Sequence, residues 1–284
     1  MKQYRILVVG GSGSVGSELS KQLSDGGHSV RATTSKKVTQ KAGGNVEQVH
    51  VDLLTGEGIT NAFEGIDRAF LMTPVGYANQ LSILVPLIQE ARRRGLEKVA
   101  LMTAMGVEAN EAGPYRRAEI ELEKSGIAYN IVRPNWFMQN FNTFWVQGIR
   151  EQGKILVPGG NAKVSFIDAR DIAAVVVKLL TTDDKNNRVF TITGPESIDH
   201  DEVATVLSAV TGKKITYQNI EPAVLKNGLL TAGLPEDYSN FLLEIWVYLR
   251  EGYNATITNE VTTILGRAPT GIKKYAEDYR NVWL

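Results

Sequence analysis

Short runs of consecutive apolar residues alternate along this chain with stretches in which apolar positions recur three and four apart. The first pattern suits strands covered on both faces, and the second suits helices with one buried stripe. Ile6 to Val9 opens the series as a strand, and Val15, Leu19 and Leu23 then mark a helix. Further strands are predicted at His28–Thr33, Val46–Val51, Asp67–Thr73, Lys98–Met102 and Ala128–Val132. Between them a helix over Leu81–Arg94 turns Leu81, Leu84, Leu87 and Ile88 inward, and another runs from Pro114 through Tyr115, Glu119 and Leu122 to Ser125-Gly126. Strand then helix, repeated, means parallel pairing with right-handed crossovers. The expected class is therefore α/β, a Rossmann-type doubly wound parallel sheet.

The first strand breaks into Gly10-Gly-Ser-Gly-Ser-Val-Gly16 before the helix begins. Gly10 suits the sharp exit from the strand, Gly13 removes a side chain that would block a diphosphate, and Gly16 allows close packing of the helix on the sheet. The N–H groups of Ser12, Gly13, Ser14, Val15 and Gly16, at the positive end of a helix dipole, favour an anion there. Glycines at this spacing between a strand and a helix are a dinucleotide fingerprint.

Beyond residue 134 the pattern is less regular. Phe137, Phe141, Phe144 and Trp145 predict a helix with an aromatic face running to Gln152. Lys154–Val157 is a short strand, Val164–Asp168 leads into a helix over Ile172–Leu180, and Arg188–Thr193 is another strand. Asp199 caps a helix to Val210, Gly212–Tyr217 returns as a strand, and Pro222–Leu230, Pro235–Leu249 and Gly271–Tyr279 read as helices. Residues 1–152 are expected to form the NAD(P)-binding domain, with strands from about 164–193 returning to it, and 153–284 a smaller, mostly helical substrate-binding lobe. The cleft between them is the expected substrate site.

Composition narrows the partners. Lys+Arg 31 balances Asp+Glu 31, which argues against nucleic acid or a membrane surface as a partner. No apolar stretch reaches the roughly 18 residues of a membrane span, so a cytoplasmic protein is expected. The chain has no cysteine, and His28, His50 and His200 lie far apart, so neither a disulfide nor a metal site is expected.

Ligands of such sheets collect outside the carboxyl ends of the strands. There the second strand ends in Thr33-Thr34-Ser35-Lys36-Lys37 where an NAD-selective fold would have an acidic residue. Hydroxyls and two ammonium groups suit a 2′-phosphate, so NADP(H) is favoured and NAD(H) stays open. An exposed basic turn would look the same. Asp52 and Leu53 suit the adenine, though Asp52 also suits a turn cap. The loops Thr73-Pro74 to Tyr77 and Thr103 to Val107 reach the same edge, as does Pro134. Trp136 and Phe137 follow directly and suit the floor of a pocket for a flat aromatic substrate, or core.

Gly10–Gly16, Glu119-x-x-Leu122-x-x-Ser125-Gly126, Arg133-Pro134-x-x-Phe137-Met138-x-Asn140 and Phe166-Ile-Asp-Ala-Arg-Asp171 together resemble the NmrA-like family of atypical short-chain dehydrogenases. Within it the chain looks most similar to the bacterial NAD(P)H:quinone oxidoreductase and triphenylmethane or azo dye reductase group. The resemblance implies an NADPH-dependent oxidoreductase acting on a quinone or similar planar acceptor. It places Tyr115, where family members often carry His, beside the nicotinamide, with Tyr115 or Thr103 as the proton or hydrogen-bond donor. Ordinary short-chain dehydrogenases use Tyr-x-x-x-Lys, but Glu119 stands where that lysine would be. This departure keeps open a second class, a non-catalytic NADP(H)-binding redox sensor, and weighs against a sugar-nucleotide epimerase. A homodimer is compatible with either class.

Overall fold

The computed structural model describes residues 2–36 and 45–284. Nine strands are found among the described residues: β1 (Arg5–Val8), β2 (Ser29–Thr34), β3 (Val46–His50), β4 (Arg68–Leu71), β5 (Lys98–Met102), β6 (Ala128–Pro134), β7 (Lys154–Val157), β8 (Arg188–Ile192) and β9 (Thr216–Asn219). The helices are α1 (Ser14–Asp25), α2 (Ile59–Ala62), α3 (Gln80–Arg94), α4 (Pro114–Glu123), α5 (Val146–Gln152), α6 (Ala169–Thr181), α7 (His200–Thr211), α8 (Pro222–Thr231), α9 (Glu236–Arg250), α10 (Glu260–Leu265) and α11 (Ile272–Tyr279). The chain divides into two compact units, 1–134 with 169–191, and 135–168 with 192–284. Residues 135–152, grouped by the sequence with the first domain, thus belong to the second unit.

The first unit carries a seven-stranded sheet in the order β3-β2-β1-β4-β5-β6-β8. Every pairing from β3 to β6 is parallel, with Val8 opposite both Ala32 and Phe70. Successive residues of the strands serve opposite faces. Leu7, Val9, Ala69, Leu71, Val99 and Leu101 join Leu84, Leu87 and Ile88 of α3 and Ala118 and Leu122 of α4 in one core. Ile6, Val8, Phe70 and Ala100 are also fully buried, and α1 packs against α6. The central strands β1, β4 and β5 are covered on both sides and are therefore largely apolar, whereas the edge strand β3 exposes Glu47 and Gln48. The strand order reverses between β1 and β4, so the turn after β1 lies at the switch point.

The second unit is mostly helical around a two-stranded parallel ribbon, β7 with β9. Its core joins Phe141, Ile155, Val157, Phe166, Leu207, Trp246, Leu249, Tyr275 and Trp283. The single helix expected over 137–152 is absent. Met138 N–H donates to the Ile167 carbonyl and Ile167 N–H to that of Trp136, so the segment starts as a bridge. A 3-10 turn over Met138–Asn142 follows, Thr143 breaks it at φ −125° and ψ −83°, and α5 begins only at Val146. Phe144 is exposed, so the aromatic spacing does not mark one face. Asp199 caps α7 as expected, within a reciprocal capping box with Glu202.

His200, the first residue of α7, is fully buried among Phe141, Trp145, Phe166, Tyr217 and Trp246, with ring centroids 5.2–6.3 Å away. Neither ring nitrogen has a hydrogen-bond partner, and burial pushes its pKa down to about 4. No helix among the described residues is long and apolar enough to cross a membrane.

Candidate cofactor and catalytic site

The chain leaves the sheet at Gly10, whose φ of +77° is a left-handed conformation that costs glycine nothing. Two bonds tie the turn to β2: Gly10 N–H donates to Thr33 Oγ1 at 3.0 Å and Gly11 N–H to the Thr33 carbonyl at 3.0 Å. Gly13 N–H closes onto the Gly10 carbonyl at 3.0 Å, and no side chain caps the N-terminus of α1. The unpaired N–H groups of that first turn are the kind that receive an anion.

The remaining glycines divide the work. A Cβ on Gly16 would lie 2.1 Å from the Gly10 carbonyl oxygen, and one on Gly11 would lie 2.6 Å from Ala32 Cβ. Gly16 therefore seats the helix on its own turn rather than on the sheet, and Gly11 makes the contact with β2. A Cβ on Gly13 would meet only the Gly10 carbonyl oxygen at 3.4 Å, an ordinary contact. Gly13 is exposed together with Ser12 and Ser14, while Val15 is buried beneath them. Space and donors are thus both present where a diphosphate would rest.

Ser35 and Lys36 follow β2 and are exposed, with Lys36 N–H donating to Thr34 Oγ1 at 3.2 Å. Lys37 lies outside the described residues. The other cation of β2 is spent: Arg31 pairs with Glu47 at 2.8 Å and donates to the carbonyls of Asn61, Ala62 and Glu64. Asp52 Oδ1 accepts from Leu54 N–H at 2.8 Å and Thr55 N–H at 3.2 Å, and the Thr55 and Leu54 amides hold its pKa below the usual carboxylate value. It heads a turn, beside half-buried Leu53.

Beyond β4, Thr73 Oγ1 and the Tyr115 hydroxyl are 2.7 Å apart and hydrogen-bonded. Glycine at the N-cap and Pro114 at N1 start α4 so that Tyr115 falls in its first turn. Pro74 and Tyr77 are half-buried on the same loop, and both tyrosines pack against the first core. Thr103, at the end of β5, is directed elsewhere: its hydroxyl donates to Glu119 Oε1 at 2.7 Å.

Glu119 is fully buried and carries more than the sequence indicated. Arg133 Nε donates to its Oε1 at 2.9 Å, and an Arg133 terminal nitrogen donates to its Oε2 at 2.6 Å. Arg116 adds a bond to Oε2 at 3.0 Å. Arg133 also reaches Glu108 at 3.2 Å, and although burial opposes its charge, the Glu119 carboxylate raises its pKa. One guanidinium on β6 thereby fixes α4 and the turn after β5. Glu119 shares the buried stripe of α4 with Ala118 and Leu122, and Arg133 ends an apolar strand. Opposite charges at two such positions were the signal for this pair.

Pro134 closes β6, its carbonyl accepting from Met105 N–H at 3.0 Å. Trp136 and Phe137 lie in the second unit. The half-buried Trp136 ring packs at 4.6 Å from Trp246 and 6.3 Å from Trp145. Phe137 is half-buried and bridges Ile167.

The NmrA-like family model matches residues 2–276. The uncharacterized oxidoreductase YesF of Bacillus subtilis is 30% identical over 284 residues, covering 100% of this chain and 98% of that protein. The NAD(P)H azoreductase of Xenophilus azovorans is 31% identical over 278 residues, covering 96% of each chain. Among solved structures, the Citrobacter triphenylmethane reductase complexed with NADP(H) superposes with a TM-score of 0.81 at 20% identity, covering 98% of this chain and 100% of that one.

Proposed function

Because this chain belongs to the NmrA-like family, we propose that it is an NADPH-dependent oxidoreductase that reduces a quinone or similar planar aromatic acceptor, azo and triphenylmethane dyes included. The observation that carries the reading is the pairing of Tyr115 with Thr73 beside the switch-point turn, without the lysine of alcohol-oxidising relatives. The names of an azoreductase and a triphenylmethane reductase among its relatives support the class of acceptor.

The glycine turn holds the diphosphate on the N–H groups of α1, and Ser35 and Lys36 take the 2′-phosphate. Thr73, Pro74, Tyr115 and Thr103, at the ends of β4 and β5 and on the helix after β5, would hold the nicotinamide half. When bound, the reduced nicotinamide supplies hydride, the part of the chemistry the side chains cannot supply. Tyr115 gives its proton to the reduced acceptor while Thr73 holds the phenol in place. Glu119 stands where the lysine of those relatives would be and is itself bound by Arg133 and Arg116, which suits Tyr115 as a donor in reduction rather than a base in alcohol oxidation.

Anaerobic oxidation of NADPH against quinones, azo dyes and triphenylmethane dyes tests this reading. Tyr115→Phe should lower the rate by roughly 10²-fold or less, at or below the low end of the scale for one proton donor, because the acceptor is readily reduced. Gly13→Val should stay folded and lose the nucleotide, since its Cβ meets nothing closer than 3.4 Å. Tight NADPH binding with no oxidation by any acceptor would favour the redox-sensor class instead.

A further inference from the structure

We infer that Thr103 serves the bound dinucleotide as a hydrogen-bond acceptor for a donor on its nicotinamide half, and that buried Glu119 fixes this polarity. The inference rests on the dinucleotide reading above and assigns what one residue within it does.

A threonine hydroxyl has one proton and two lone pairs. That of Thr103 goes to Glu119 Oε1 at 2.7 Å. Glu119 cannot reverse the bond, because its two oxygens take three further bonds from Arg133 and Arg116, and guanidinium groups only donate. Both arginines are anchored again, Arg133 on Glu108 and Arg116 on Glu123 at 2.8 Å, so the arrangement does not rotate away to free the hydroxyl. The main chain is equally fixed, with Thr103 N–H on the Val132 carbonyl at 3.0 Å.

What Thr103 has left at the end of β5 is lone pairs. A substrate carbonyl or a developing oxyanion would meet them lone pair to lone pair. A ribose hydroxyl or the carboxamide N–H of the nicotinamide half would meet them correctly. These two donors share one chemistry, and Thr103 passes from candidate acid to cofactor orienter. Donation to the acceptor then falls to Tyr115, whose hydroxyl is hydrogen-bonded to Thr73.

Dissociation constants by calorimetry test this without turnover, using NADP+, adenosine 2′,5′-bisphosphate, which lacks the nicotinamide half, and the acetylpyridine analogue of NADP+, which lacks the carboxamide N–H. Thr103→Val should weaken NADP+ by about 3- to 30-fold, the scale of one lost hydrogen bond or a stranded donor. It should leave the bisphosphate within about twofold, and Thr103→Ser should restore NADP+ binding. If the parent protein already loses affinity for the acetylpyridine analogue and Thr103→Val adds nothing, the carboxamide is the donor. If the valine costs both dinucleotides equally, the donor is a ribose hydroxyl. Unchanged NADP+ binding in a folded Thr103→Val, or equal loss of NADP+ and the bisphosphate, would overturn the inference. Binding of neither by the parent protein would overturn the dinucleotide reading itself.

Discussion

Two polar groups are buried to the same degree in the two units and are treated in opposite ways. Glu119 in the first unit has both oxygens filled by Thr103, Arg133 and Arg116. His200 in the second has aromatic rings on several sides and no hydrogen bond to either nitrogen. The first arrangement can keep a charge out of water because partners replace the lost solvation; the second can tolerate its group only while that group is neutral. Gly159 makes the confinement visible, since a Cβ there would lie 2.9 Å from the imidazole. A buried polar residue therefore signals a positioning role when its partners are charged, and a liability to acid when its neighbours are rings.

The largest effect that would test this contrast is at Glu119. Glu119→Gln should destabilise the protein by about 3 kcal/mol, because the buried Arg133 loses its buried counter-charge and keeps only the exposed Glu108. Urea denaturation at neutral pH measures it, and a loss below about 1 kcal/mol would mean that the ion pairs carry little of the packing.

Next comes the acid response of His200, whose pKa burial lowers to about 4 when folded, against about 6.5 for an exposed imidazole. Between those values the unfolded chain takes up a proton that the folded one refuses. The stabilisation is thus complete above about pH 6.5 and is lost as the pH falls towards 4, amounting to about 3 kcal/mol in all. Carboxylates also titrate in this range, so the quantity to measure is the difference between the parent and His200→Phe across the pH series. Parallel curves would show that the imidazole is not held neutral. The smallest effect sharpens the same point: at pH 7, His200→Phe should change stability by less than about 1.5 kcal/mol in either direction, since a ring of similar size replaces one that makes no hydrogen bond.

What the sequence disclosed about these units follows from where their contacts lie along the chain. The centre of the first unit's sheet is legible in the sequence because β1, β4 and β5 are almost wholly buried, and the crossovers from β1 to β6 are made within the same unit. The turn at Gly10 to Gly16 is legible because its glycine spacing is local, whereas the contact that Gly16 relieves, with the Gly10 carbonyl, and that of Gly11, with Ala32, follow from how the turn folds back on itself and on β2. The partnership of Glu119 with Arg133 spans 14 residues and two elements, so the sequence showed an absent lysine without showing what replaced it. Lys36 is exposed just beyond β2, whereas Arg31 is tied to carbonyls at the end of α2, some 30 residues away in sequence. In the second unit, Phe144 and Thr143 interrupt what spacing alone presented as one helix, and α10, only six residues long, gave too short a period to detect.

The chain passes from one unit to the other after Pro134, Asp168 and Thr191. No single cut can release either unit intact, so truncation cannot isolate them, and the order of synthesis acquires a meaning. When residues up to 134 have left the ribosome, β6 is an open edge, because β8 is still unmade. An apolar strand with unpaired N–H and C=O groups invites pairing with other chains. Until residue 192 emerges the nascent protein therefore carries this open edge, during the very interval in which the first segment of the other unit is being made.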